Sequence, residues 1–140
     1  MALIQTQCTI FKYNLLRGVE NLTLASPYVY KIALYTANAS LDESTIAYTT
    51  DGEVVGSGYT AGGNTLVVIP PAYSGSTAFV SFNNVAWTSA SFIARGALIY
   101  NSTTGAAVAV LNFGADKTAS GTFTVTFPTA TSSSAVIRIA

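Results

Sequence analysis

The sequence predicts a mainly β protein, an antiparallel β-sandwich of jelly-roll or immunoglobulin-like type, with one short N-terminal helix. Three observations carry this reading. Several short segments alternate apolar and polar residues with period two, and turn residues separate them at fairly regular spacing. One stretch alone, near the N-terminus, has the 3.6-residue period of a helix. No strand–helix–strand alternation suggests a parallel sheet.

Taken in order, Thr9 is placed as the cap of a helix over 9–22. Phe11, Leu15, Val19 and Leu22 form one apolar stripe, with Lys12, Asn14, Arg17 and Glu20 largely off it. Gly18 costs such a helix about 1 kcal/mol and suggests close packing on the sheet. Ser26-Pro27 breaks the pattern, and Tyr28–Thr36 reads as a strand. Asn38–Asp51 is a polar connection with room for a helical turn near Leu41–Ile46. Four glycines between Gly56 and Gly63 then demand positive φ somewhere. Thr65–Ile69 is a strand halted by Pro70-Pro71, followed by Thr77–Phe82 and a short Val85–Thr88 segment.

Phe92–Tyr100 and Ala106–Phe113, joined by NSTTG, form the central β-hairpin. Both its faces are apolar apart from Arg95, so both need cover, from a second layer or another subunit. Arg95 is expected at a partly covered site, paired with a carboxylate or carbonyls, or with its head reaching solvent. Asp116-Lys117 and Ser120-Gly121 read as a turn. Thr122–Phe127 is the cleanest alternation, with Phe123, Val125 and Phe127 inward, and Ala135–Ile139 closes the fold. Residues 1–140 read as a single domain.

Composition narrows the function. Half the residues are hydrophobic and 9% are charged, against about a quarter in ordinary proteins. Lys and Arg balance Asp and Glu at six each, so charge offers no case for nucleic acid or an anionic membrane. No run of about 18 apolar residues or secretion signal is evident. Histidine is absent, which removes the commonest general base and metal ligand. Cys8 has no activating histidine and reads as an incidental thiol near a mobile-looking terminus.

Asp51 and Glu53 lie two apart and could share a strand face as a glycosidase pair would, though carboxylates beside Gly52 more often solvate a turn. They are also too sparse for a calcium loop. GSGYTAGG lacks the Gly-Lys-Ser/Thr ending of a phosphate loop. Tyr35, Tyr48, Tyr59, Tyr73 and Trp87 are candidates for a sugar platform, or for core and interface. The sequons at Asn21, Asn38 and Asn101 are expected by chance. No catalytic, cofactor or metal residue is assigned.

The stretches FKYNLLRGVENL, YKIALYTANASLDESTIAYTTDGEVVGSGYTAGGNTL, ARGALIYNSTTGAAVAVLNFGADK and AVIRIA together resemble a family of small structural proteins of tailed bacteriophages. The resemblance implies a place in the virion and brings no catalytic residues. The expected function is a capsid decoration, or cement, protein on the outer surface of the phage head. Its expected partners are itself, as a homotrimer, and the major capsid protein. A neck, tail or fibre component is the alternative, and a carbohydrate-binding module a more distant one.

Overall fold

The computed structural model describes residues 3–23 and 25–139. The chain forms β1 (Thr6–Gln7), α1 (Thr9–Leu16), β2 (Tyr30–Tyr35), β3 (Asn64–Thr65), β4 (Val68–Ser74), β5 (Thr77–Phe82), β6 (Val85–Asn101), β7 (Ala107–Val125) and β8 (Ile137–Ile139). Strands in the order β1-β7-β6-β2-β3 make a five-stranded sheet, and β4-β5-β8 make a three-stranded one. Every named pairing is antiparallel. One core joins the sheets: Ile32, Leu34, Trp87, Phe92 and Ile99 from the larger meet Val80, Phe82 and Ile137 from the smaller. This is the predicted two-layer β architecture with a short N-terminal helix.

The helix is shorter than its apolar stripe suggested. It ends at Leu16, and Gly18 adopts φ +73°. The N–H of Val19 bonds the carbonyl of Asn14 at 3.0 Å, and that of Gly18 bonds Leu15 at 3.1 Å. That pair of bonds is the glycine-terminated helix end in which a left-handed residue satisfies the last carbonyls. Gly18 therefore stops the helix, and nothing lies within 4 Å of where its Cβ would be, so it serves no close packing. Thr9 is not the cap. Cys8 holds that position without a side-chain bond.

The hairpin is longer than predicted. β6 takes in the supposed separate segment Val85–Thr88, and β7 runs through the supposed turn at Asp116–Gly121 to include most of Thr122–Phe127. Turn residues were misread because bulges absorb them. Two steps along β6, Ala94 to Gly96, match five along β7, Asn112 to Lys117, so the chain bows outward there with Gly114 at φ +82°. Ser89 at φ +50° faces a second irregularity, beside Gly121 at φ +111°. The alternation itself holds: Val125 and Phe127 are buried and Phe123 partly so, while Thr122, Thr124 and Thr126 are exposed.

Pro70 and Pro71 sit inside β4 instead of ending a strand. β4 is an edge strand and its register slips between Ile69 and Ala72, where a missing N–H costs no ladder bond. The connection after β2 contains no helical turn. Asp42 instead accepts the Ser44 N–H at 2.8 Å, and the Thr45 N–H bonds the Asp42 carbonyl at 3.1 Å.

Both faces of the upper hairpin are covered, and by this chain. Leu98, Tyr100, Ala107 and Val110 on the outer face form a second core with Leu3, Cys8, Ala39 and Leu41. The N-terminal stretch and the 36–53 connection lie over that face, so its apolar character requires no second subunit.

Candidate functional site

Two carboxylates are buried, and each anchors a polar network. Glu53 follows a turn in which Gly52 takes φ +78°, and its backbone bridges to Tyr35 at the end of β2. Its Oε1 accepts the Tyr48 hydroxyl at 2.6 Å. Its Oε2 accepts the Tyr59 hydroxyl and the Gly62 N–H, the latter at 2.8 Å. Tyr59 in turn accepts the Leu34 N–H at 2.9 Å, and the Tyr100 hydroxyl donates to the Gly62 carbonyl at 2.6 Å. The glycine-rich loop is thereby tied to β2 and β6 through one carboxylate. Burial, then the bond to Glu53, pushes the Tyr48 and Tyr59 phenols well above their ordinary value, so both stay neutral donors.

Glu20 accepts the Tyr30 hydroxyl at 2.7 Å and the Asn101 side-chain amide at 3.0 Å. Asn101 is fully buried and its other side-chain atom caps the hairpin loop by accepting from Thr103 and Thr104. That sequon asparagine is structural and out of reach of modification.

The candidates named in the sequence are not brought together. Asp51 is exposed on a turn, whereas Glu53 is buried and saturated with phenol and amide donors, so the two share no cleft of the kind a glycosidase needs. The GSGYTAGG loop spends Gly62's N–H on the Glu53 carboxylate of this chain, so that donor is not offered to a phosphate. Tyr35 and Trp87 are buried, Tyr59 packs against Trp87 and Phe92, and Tyr48 stacks on Tyr100 with centroids 4.7 Å apart. Of the five proposed platform aromatics only Tyr73 is exposed, and one ring does not make a sugar platform. Among the described residues, no group of three or more Cys, Asp or Glu gathers to hold a metal, and no helix is long and apolar enough to cross a membrane.

Cys8 is fully buried between the N-terminal stretch and the 36–53 connection, not on a mobile terminus. Burial first, then nearby Asp42, pushes its thiol up to about 11. The neutral form is the one the fold favours, so its contribution to stability is complete below the ordinary value of 9.0 and is lost as pH rises towards 11. A thiol reagent at about pH 8 is expected to label Cys8 only as fast as the protein opens, because both access and thiolate are lacking. Rapid stoichiometric labelling of the native protein would contradict this. Arg95 meets Asp116 at 3.4 Å, with side chains 37% and 55% exposed. This is the expected carboxylate partner, in the solvated geometry that typically contributes less than about 1 kcal/mol.

What remains for contact is apolar surface. A groove of about 180 Å³ opens between α1 and the small sheet, lined by apolar residues alone, among them Phe11, Leu15, Phe79 and Ile139. It continues past Leu16, which is 90% exposed, to Gln7, Lys12 and Arg138. A second cleft of about 480 Å³ beside β7 is mixed in character, with Leu111, Phe113 and Phe127 facing Gln5, Gln7 and Arg138. The helix stripe in the sequence named Leu15 but not its neighbour. Adjacent residues on a helix point about 100° apart, and the line through Phe11 and Leu15 leaves Leu16 to one side of the stripe, which was the available signal. Comparison of the chain with models of protein families, with characterised proteins and with solved structures finds no match.

Proposed function

We propose that this chain is a non-enzymatic structural protein of a tailed-bacteriophage particle, a decoration protein that attaches to the outside of the assembled head and stabilises it. It acts as a homo-oligomer, a trimer, seated on the major capsid protein. The observation that carries this reading is the all-apolar groove between α1 and the small sheet, extended by exposed Leu16, on a β scaffold whose two buried carboxylates accept hydrogen bonds from the chain's own side chains. An open apolar groove on rigid elements is a surface for a protein neighbour more than for a polar small molecule. The resemblance of four stretches of the chain to phage structural proteins supports the same assignment. Charges are few, so attachment is mainly apolar and hydrogen-bonded and survives high salt. Repetition around a symmetric oligomer multiplies weak contacts into tight binding.

The test mixes purified protein with heads that lack it and measures bound copies, oligomeric mass and the resistance of the heads to heat. Saturable binding with raised heat resistance is expected. A protein that ignores heads, or one that labels only the tail, would overturn the assignment.

A further inference from the structure

We propose that two copies of this chain join edge to edge, β7 against β7 about a twofold axis at Ser120, so that their larger sheets run on into one. The inference goes beyond the attachment role proposed above: it adds an isologous contact that joins one oligomer to the next. The other strand edges are protected, since β1 and β3 are two residues long, β8 is three, and β4 carries Pro70 and Pro71. β7 is not. β1 pairs with it only at Ala109 and Val110. Side chains then take over: Gln5 accepts the Asn112 N–H at 3.1 Å, and Asn112 accepts the Gly114 N–H at 2.8 Å. From Ala115 to Val125, among the described residues, neither a strand nor a side chain bonds the outer backbone.

The direction of the free groups follows from the neighbouring strand. The Ser91 N–H bonds the Ser57 carbonyl at 2.9 Å, on the side of β6 away from β7. Ser91 stands opposite Ser120, and in an antiparallel pair the two residues point their N–H and C=O both together or both away. Ser120 therefore points both groups outward, and Thr118, two residues back in the same register, does so too. An added strand must share the alternation of β7, whose one face is exposed (Thr118, Ser120, Thr122) while the other holds Ala119 and Phe123. A second β7 has that pattern, and a twofold axis normal to the sheet keeps each face on its own side. Centring on Ser120 uses the whole open stretch. It sets Thr118 opposite the partner's Thr122 and keeps Asp116 and Lys117, the only charges on β7, clear of their like. It also sets the partner's Phe123 opposite Lys117, which with Phe113 and Phe123 lines an open cleft of about 320 Å³. Each copy thus fills the other's cleft.

The experiment uses Ser120→Cys under mild oxidation. Residues opposed in such a pair have Cα atoms about 5.5 Å apart, within reach of a disulfide, so a covalent dimer is expected. Cys8 is fully buried and does not compete. Thr124→Cys is the control: eight strand positions, about 25 Å, separate it from its counterpart, and it is expected to stay uncrosslinked. Charge tests the register. Thr118→Lys with Thr122→Lys in one chain sets like charges opposite each other and is expected to weaken association in sedimentation about fivefold, whereas Thr118→Glu with Thr122→Lys is expected to restore it. All these positions are exposed, and circular dichroism checks that each variant keeps its fold. Equal crosslinking of the two cysteine variants, or association indifferent to these charges, overturns the edge contact. Binding to heads is measured separately. The double-lysine variant is expected to keep it, and its loss would assign the β7 edge to the head instead of to a second copy. Crosslinking by a protein that ignores heads supports the edge contact and overturns the attachment role alone.

Discussion

Glu53→Ala is expected to lower the melting temperature by roughly 10 °C, the larger of the single-residue polar effects in this protein. The substitution leaves the hydroxyls of Tyr48 and Tyr59 and the N–H of Gly62 without their acceptor. Each unsatisfied buried group costs about 1–3 kcal/mol, reduced where water can enter. A net loss near 3 kcal/mol corresponds to about that shift for a chain of this size. Glu53→Gln keeps one carbonyl acceptor and is expected to cost about half as much. Thermal melts of the two variants check the order. Equal melting temperatures for the alanine variant and the parent would show that the carboxylate is not what ties the glycine-rich loop to β2 and β6.

The same network sets a pH dependence. The phenols of Tyr35, Tyr48, Tyr59 and Tyr100 are all raised above 10.0, mainly by burial and then by Glu53. Their folded state favours the protonated form, so their contribution is complete below pH 10 and fades above it. The parent protein is therefore expected to melt earlier at about pH 11 than at about pH 9.

Gly63→Ala is expected to be more damaging still, lowering the yield of folded protein or costing more than about 4 kcal/mol, at the exceptional end of single substitutions. Gly63 has φ +77°, which an L-residue adopts only with strain, and its would-be Cβ runs into the carbonyl oxygen of Ile32 and the Cα of Ala33. Those atoms are backbone of β2, held on both sides by β6 and β3, and cannot give way. Gly105→Ala serves as the control: φ is also positive, +84°, but no atom lies within 4 Å of its Cβ position. If both variants melted alike, the collision with β2 would be irrelevant and only the conformational strain would matter.

Much of this molecule was decided by local pattern. The alternation in Thr122–Phe127 specified a strand and its inward face, because a period of two leaves one choice of side once a single apolar residue is buried, and the apolar runs in Tyr28–Thr36 and Thr77–Phe82 marked strands that the structure contains. The single 3.6-period stripe specified one helix near the N-terminus. The glycines of 56–63 announced a loop with positive φ, which Gly58, Gly62 and Gly63 supply.

Tertiary structure decided what local pattern cannot weigh. Gly18 as a helix stop or a packing glycine depends on what lies beside it, and nothing does. Pro70-Pro71 and Asp116–Gly121 carry strong turn signals, yet an edge position and two irregular registers let strands run through them. The apolar outer face of the hairpin was legible, but whether a loop, the N-terminus or another subunit covers it depends on chain path. The groove beside α1 was the least legible feature, because it joins residues of the helix to Phe79 and Ile139, far along the chain. A sequence shows which side chains are apolar; only the packing of distant elements determines which of them are left uncovered.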